Sequence, residues 1–243
     1  MSKVRVKQIE PLTGTNINLG AAGDSVLVQS TALKTNTYQD SGGNVIFTSD
    51  GAGNVSSVNA ALAGAGPTFI QKQTASSSSS INFETGIDST YDEYLFVWAD
   101  VVLGTDTAYL RFTPSTASGS YGDEDGLATF YNAYSYYSWS TSSALAYDTS
   151  RDFNGTGSVL LSGHMDNAAT SGAGGWMKFY RPSSTTYVKN FIAEMTTPYY
   201  LPTSSVNYFI AGFFNTTAAI TKLQFNTDSG SITSGTFWLY GIK

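Results

Sequence analysis

Residues 94–102 read YLFVWADVV, and this run of aromatic and β-branched side chains is typical of a short buried strand. Similar runs recur throughout residues 67–243, divided by Gly- and Ser-rich clusters such as 116–122 and 166–175. No stretch carries the longer period of a helix. Many short strands separated by turns predict an all-β fold, most simply a jelly-roll-like β-sandwich. The predicted strands are 68–73, 80–83, 94–102, 108–113, 128–139, 159–161, 176–180, 188–195, 208–214, 220–225 and 236–242. The serine run 76–80 between the first two is expected to be a polar loop.

The composition changes near residue 66. Of 34 aromatic residues, only Tyr38 and Phe47 precede that point, and charges balance in residues 1–66, so residues 67–243 carry the whole net charge of -6. A segment with two aromatic residues has little from which to build its own core. We therefore predict two domains: a strand-rich arm, 1–66, that gains its core from other copies or a docking surface, and a β-sandwich head, 67–243. The small residues before Pro67 predict a hinge there.

A short repeat supports the strand-rich arm. The pattern D-x-x-G-N-V begins at residue 40 and again ten residues later. Gly permits a positive φ, and Asp and Asn bond to nearby backbone, so each copy predicts a turn that enters a strand. The residues between the copies, 45–48, are then a strand of a hairpin or meander. The turn residues of the two copies are Asp40, Gly43, Asn44, Asp50, Gly53 and Asn54.

The composition argues against most chemical functions. The chain has no Cys and a single His, which excludes disulfides, thiolate metal sites and multi-histidine centres. Its net charge of -6 argues against nucleic-acid binding, no apolar run is long enough for a membrane span, and the first residues do not resemble a signal peptide. No nucleophile-elbow or phosphate-loop motif occurs, so we expect no enzymatic activity and no cofactor. His164 is expected to be a polar residue at a strand end.

Acidic residues are concentrated at 123–125, directly before Gly126. Three carboxylates can hold a hard cation such as Ca²⁺. However, the alternating D-x-D-x-D-G spacing of a calcium loop is absent, so a solvated turn and no metal site are expected here.

Two aromatic segments are candidate contact surfaces. Residues 130–139 read FYNAYSYYSW, and a second pair of tyrosines lies between Pro198 and Pro202. Alternation along a strand places Phe130 and Tyr134 on one face and Tyr131 on the other. Such rings either pack in the core and in subunit contacts, or bind a host glycan or receptor. The candidate residues are Tyr131, Tyr134, Tyr136, Tyr137, Trp139, Tyr199 and Tyr200.

Three stretches resemble bacteriophage virion proteins. Residues 14–24, GTNINLGAAGD, are similar to the opening segment of many such proteins. Residues 83–94, FETGIDSTYDEY, resemble the start of the β-rich heads of phage tail-fibre and head-fibre proteins. The ending 235–242, GTFWLYGI, is similar to the end of the same group.

The resemblance implies a trimeric structural protein located in the virion and assembled in the host cytoplasm. The expected partners are other copies of the chain, other virion proteins through residues 1–66, and a host surface glycan or protein. Our first hypothesis is a short tail fibre or spike whose head contacts the host surface. The alternative is a capsid decoration or head-fibre protein that stabilises the shell. A cellular adhesin is disfavoured because no secretion signal was found.

Overall fold

The structure, a computed structural model, describes residues 37–39, 44–50, 52, 55–58, 66–136, 143–199 and 204–243. Contacts divide the chain into two compact units, Met1–Gly64 and Ala65–Lys243, and each is described by itself. We keep the names arm and head for the two units. The predicted domains, 1–66 and 67–243, stay a prediction, because a division by contacts does not show whether either part folds alone.

The described part of the arm is a three-stranded antiparallel meander. Its strands β1 (Thr37–Gln39), β2 (Val45–Ser49) and β3 (Val55–Val58) pair in chain order. Tyr38 lies opposite Phe47, and their rings stack with centroids 4.3 Å apart. The two aromatic residues of the arm thus pack against each other, and the strand predicted at 45–48 is present.

The turn repeat is described only in part. Asp50 accepts a hydrogen bond from the Ala52 amide at 2.7 Å, which is the local backbone contact expected of Asp in a turn. Asn44 is exposed and immediately precedes β2. Asp40, Gly43, Gly53 and Asn54 lie outside the described residues.

The head is all-β among its described residues, as predicted. One 3-10 turn, η1, spans Thr149–Arg151, and no helix of the described residues is long and apolar enough to cross a membrane. The strands are β4 (Thr68–Ser78), β5 (Ser80–Phe83), β6 (Glu93–Leu103), β7 (Leu110–Thr116), β8 (Gly126–Tyr136), β9 (Ser143–Tyr147), β10 (Phe153–Gly155), β11 (Val159–Leu160), β12 (Ala173–Tyr180), β13 (Lys189–Pro198), β14 (Ser204–Phe214), β15 (Ile220–Thr227) and β16 (Ile232–Ile242).

Two antiparallel sheets form the head. The large sheet has the order β10-β8-β14-β13-β12-β6-β16-β4, with β9 also paired to β8, and the small sheet has the order β11-β7-β15-β5. The ring of Phe112 in the small sheet contacts the rings of Phe191 and Phe214 in the large sheet edge-on, with centroids 5.0 and 5.9 Å apart. Phe225 similarly lies 5.5 Å from Trp98. The two sheets therefore enclose one aromatic core, as in a β-sandwich.

Strand β13 shows how the sequence selects the faces of the large sheet. Phe191, Ala193 and Met195 are buried in the core, whereas Ile192 and Thr196 point to the opposite, exposed face. This alternation with period two is the pattern that a half-buried strand requires.

Each strand predicted beyond residue 67 is present in its described part, with residues 137–139 of the strand predicted at 128–139 outside the described residues. The serine run was misassigned. Ser76 and Ser78 are not in a loop: they belong to β4 and lie opposite Ser234 and Ile232 of β16. Because β4 is the edge strand of the large sheet, backbone pairing on one side is sufficient, and its side chains need not be apolar. Strands β9 and β10 were not predicted.

Residues 83–94 connect β5 to β6. The fully buried Tyr94 has its hydroxyl 2.8 Å from the carbonyl oxygen of Asp88, to which it donates, and 2.9 Å from the Asp88 amide, from which it accepts. Asp88 in turn accepts from the Thr90 amide at 2.8 Å, and its carbonyl also accepts from Ser183 at 2.6 Å. These contacts give this segment a structural role.

Residues 235–242 pack on residues 83–94. A Cβ placed on Gly241 would lie 2.3 Å from ring atoms of Tyr91, closer than any real contact. Gly241 is therefore required for the Tyr91 ring to lie flat against β16. The ring of Tyr91 also contacts that of Tyr94 edge-on, with centroids 5.9 Å apart. Tyr91 therefore joins residues 83–94 and 235–242 into one packed unit.

Lys189 is fully buried at the start of β13. Its ammonium group donates to the carbonyl oxygens of Ser184 and Tyr187 at 2.6 Å each, and of Thr216 at 3.2 Å. A buried ammonium group is stable only when such acceptors replace water. Lys189 therefore links the loop before β13 to the loop that precedes β15.

Candidate functional site

A cavity of about 240 Å³ lies on the inner face of the large sheet near the β8 edge. We call it the tyrosine pocket. Its lining combines aromatic rings with hydrogen-bonding groups. The lining residues are Asn132, Tyr134, Arg151, Tyr199, Ser204, Val206 and Tyr208.

Neighbouring strands position most of this lining. Tyr134 lies opposite Val206, and Asn132 lies opposite Tyr208, in the β8–β14 pair. These residues share a face with Phe130, which is buried in the core, so alternation directs them inward. The pocket is the continuation of the core face toward the end of β8.

The second aromatic segment reaches the same place. Tyr199 directly follows β13, its amide donates to the Ser204 carbonyl oxygen at 3.0 Å, and it forms an isolated bridge with Met165. Ser204 lies opposite Tyr136. The two aromatic segments, far apart in sequence, thus leave the large sheet side by side, and Tyr134 and Tyr199 line one cavity.

The other predicted residues are distributed differently. Tyr131 points to the opposite face of the sheet, is 40% exposed, and stacks on Tyr147 with centroids 4.8 Å apart. Tyr136 is the last residue of β8. Tyr137, Trp139 and Tyr200 lie outside the described residues. Whether these aromatic residues bind a receptor or a subunit stays a prediction.

Arg151 brings a charge to the pocket wall, but that charge is already paired. Its guanidinium forms an ion pair with Asp148 and lies over the rings of Tyr109 and Phe130, 5.8 and 6.0 Å from their centroids. Burial opposes the charged forms of both partners. For Asp148, hydrogen bonds from Ser150 and the pairing with Arg151 outweigh burial and lower its pKa, and for Arg151 the pairing with Asp148 outweighs burial and raises its pKa. Asp152 follows η1 and accepts from the Phe130 amide at 3.1 Å.

Tyr208 forms the floor of the pocket. It is 2% exposed, and burial raises the pKa of its phenol well above the ordinary value. Its hydroxyl lies beside the backbone of Gly163, with no partner of normal hydrogen-bond geometry among the described residues. Tyr208 therefore presents a neutral ring to the cavity.

His164 lies next to the pocket and has a structural environment. Its Nδ1 lies 2.9 Å from the Thr107 carbonyl oxygen, so Nδ1 carries the proton that is donated. Nε2 then accepts from the Tyr109 hydroxyl at 3.1 Å. The ring also lies 6.2 Å from that of Tyr199, edge-on. His164 thus orders the loop that supports the pocket.

The tyrosine pocket is remote from the residue at which the first strand of the head begins. Thr68 pairs with Gly241, and the same row of the sheet reaches Ala128 on β8. This row crosses six strand spacings, about 29 Å, and Tyr134 lies six residues further along β8, about 20 Å. The two points are therefore diagonally opposite in the large sheet.

The outer face of the large sheet is mostly apolar. The strand pairing lines up two rows of outward-pointing residues across this face. Phe209 of the first row is 39% exposed, and Ile192 of the second row is 44% exposed. Lys178 pairs with Glu93 at 3.0 Å, and Glu194 accepts from Asn207. The first row is Tyr147, Tyr131, Phe209, Glu194, Trp176, Val97, Trp238 and Lys72. The second row is Thr129, Ala211, Ile192, Lys178, Leu95, Tyr240 and Phe69.

The acidic residues at 123–125 form a turn. Asp123 accepts from the Ser120 amide at 2.9 Å, and the carbonyl oxygen of Asp125 accepts from the Asn215 amide at 2.7 Å. Within the part of the chain that the structure describes, no three acidic or histidine side chains are grouped as metal ligands.

Sequence reasoning found Tyr134 and Tyr199 but missed the polar part of the pocket. Arg151 lies in a 3-10 turn that no pattern indicated, and Ser204 precedes the predicted start of its strand. Asn132 could have been found, because alternation along the strand places it on the same inward face as Phe130 and Tyr134.

The chain matches no protein-family model, no curated protein and no solved structure.

Proposed function

We propose that the chain is a non-enzymatic bacteriophage virion protein, a short tail fibre or spike whose arm, 1–66, anchors to the virion and whose head contacts the host surface. The observation that carries the proposal is the position of the tyrosine pocket, diagonally opposite Thr68 in the large sheet. A fibre that is held through its N-terminal segment needs its contact surface at the far end of the head. Aromatic side chains with polar tips are enriched at such contact surfaces.

The connectivity of the head supports a jelly roll. We number eight strands in chain order as β4, β5, β6, β7, β11, β12, β15 and β16. The first, eighth, third and sixth lie side by side in the large sheet, and the second, seventh, fourth and fifth form the small sheet. This is the strand order of a jelly roll, a fold common in viral structural proteins. The remaining strands, β8–β10, β13 and β14, are insertions that widen the large sheet.

The outer face of the large sheet supports the proposed homotrimer. Contiguous exposed apolar surfaces mark interaction sites in proteins. Its charged residues balance, with Lys72 and Lys178 against Glu93 and Glu194, although the chain as a whole carries -6. A neutral apolar face lets copies of an acidic protein approach without repulsion. Light scattering of the purified chain is expected to show three copies per particle.

A paired-variant experiment tests this interface. Replacing Phe209 and Ile192 by Ser removes two exposed apolar side chains of the outer face and is expected to shift the chain toward the monomer. Tyr187→Ser is the matched control, because Tyr187 is 62% exposed in the loop before β13. A monomeric wild-type chain would contradict the trimer, and an unchanged mass of the double variant would exclude this face.

Competition for adsorption tests the host-contact function. Purified full-length chain is added to cells of the bacterium that the phage infects, and adsorption of the phage is then counted. We expect the wild-type chain to block adsorption, Tyr134→Ala to lose the block, and Tyr187→Ala to retain it, since Tyr187 lies at the opposite end of β13 from the pocket. A folded chain that neither binds cells nor blocks adsorption would refute the fibre function.

The apolar outer face also favours the second candidate, a capsid decoration or head-fibre protein. An apolar sheet face suits packing against a protein shell as well as against another copy. The distinguishing measurement is rebinding to particles stripped of this protein. Restored particle stability without any binding to cells would favour decoration over the fibre.

A further inference from the structure

We propose that the tyrosine pocket binds a single ring of an uncharged sugar. This inference rests on the proposed host-contact function for its biological setting, and names the ligand class of the same site. The ligand is defined by the size, the lining and the charge of the pocket.

The size of the cavity suits one sugar ring. At about 240 Å³, the cavity lies just below the roughly 300–1,000 Å³ of pockets that hold drug-sized ligands, which favours a small ligand such as one sugar ring. A folded peptide segment or an extended oligosaccharide does not fit within this volume, so further sugar units would have to extend outward from it.

The lining provides both kinds of contact that a sugar makes. Tyr134 and Tyr199 contribute aromatic rings, on which the C–H face of a pyranose packs. Asn132 and Ser204 contribute an amide and a hydroxyl, which exchange hydrogen bonds with sugar hydroxyls. Val206 and the ring of the buried Tyr208 close the apolar side. A purely apolar ligand would cover these polar groups without forming hydrogen bonds to them, which costs affinity.

The charge of the pocket selects against anions. The positive charge of Arg151 is neutralised by Asp148, and Asp152 lies one residue beyond. An acidic sugar would meet no uncompensated positive charge in the described lining and would have to compete with Asp148 for the guanidinium. Guanidinium N–H groups that remain beside the ion pair still donate to neutral hydroxyls. An uncharged sugar therefore fits best.

Titration of the purified full-length chain with single sugars tests this proposal. The probes are glucose, galactose, mannose and N-acetylglucosamine, with glucuronic acid as the acidic comparison, and binding is followed by saturation-transfer NMR and calorimetry. We expect one neutral sugar to bind with a dissociation constant on the order of 1 mM. Glucuronic acid is expected to bind at least tenfold more weakly.

Variants locate the binding site. Tyr134→Ala and Asn132→Ala are each expected to weaken binding about tenfold or more, whereas Tyr187→Ala leaves it unchanged. Thermal melts establish that each variant is folded, and Asn132→Ala is the smaller perturbation should Tyr134→Ala unfold. Binding of no neutral sugar, preferential binding of glucuronic acid, or equal binding by the folded variants would each overturn the proposal. Sugar binding without any effect on adsorption would keep this inference and refute the host-contact function instead.

Discussion

Tyr94→Phe removes one buried hydroxyl and measures what holds the turn from β5 to β6. The hydroxyl donates to the Asp88 carbonyl oxygen and accepts from the Asp88 amide, at 2.8 and 2.9 Å. Ser183 also donates to that carbonyl, so the amide loses its partner whereas the carbonyl keeps one. Two hydrogen bonds of about 1 kcal/mol each give an expected loss of about 2 kcal/mol. For a unit of this size the melting temperature falls by about 4–8 °C.

The buried phenol of Tyr94 also predicts how the stability of the protein changes at alkaline pH. Burial raises the pKa of Tyr94 to about 12, against about 10 in the unfolded chain. A raised folded pKa gives stability that is present below about pH 10 and lost as pH rises toward 12. The loss, about 3 kcal/mol for two pH units, is absent in the Phe variant. The stability difference between wild type and variant is therefore expected to shrink as pH rises from 10 to 12.

Chemical denaturation at pH 8 and at intervals up to pH 12 measures both effects. Tyr187→Phe is the control, because this exposed ring should change the free energy of unfolding by less than about 0.5 kcal/mol. A Tyr94→Phe variant as stable as wild type at pH 8 would refute the assigned hydrogen bonds. A difference that stays constant up to pH 12 would refute the buried phenol as the titrating group.

Three further predictions concern single contacts. Gly241→Ala is expected to cost about 1–3 kcal/mol, and much less in a Tyr91→Ala background, as measured by a double-mutant cycle. Lys189→Met removes three hydrogen bonds and is expected to lower the free energy of unfolding in urea by about 3 kcal/mol. A loss below about 1 kcal/mol would contradict the role of Lys189 in linking the two loops. Because the pKa of Asp148 is lowered, the stability from its contacts with Ser150 and Arg151 is present above about pH 4 and lost at lower pH, and Asp148→Asn flattens this acid dependence in thermal melts between pH 2 and 6.

The strands of the head could be predicted because they depend on local pattern. Alternation in β13 and the apolar run in β6 require only the neighbouring residues to be recognised. The serine run of β4 defeated this reasoning, since its strand is held by backbone pairing with β16 rather than by side-chain burial. Strands β9 and β10 are short and lie at the sheet edge, where the sequence carries little constraint.

The candidate site was predictable only in its aromatic half. Tyr134 and Tyr199 stood out by composition, but their meeting depends on the pairing of β8 with β14 and of Tyr199 with Ser204. Arg151 joined them through the turn η1, whose position follows from the fold. Contacts between residues so far apart in sequence follow from topology, which no local pattern determines.

The same strands that form the tyrosine pocket also carry part of the core. Most of the residues that line the pocket belong to β8 and β14. Yet Phe214 of β14 and Phe191 of the neighbouring β13 pack against Phe112 of the small sheet. If the pocket contacts the host, as proposed, substitutions near the pocket end of these strands alter recognition, whereas substitutions at Phe191 or Phe214 loosen the core.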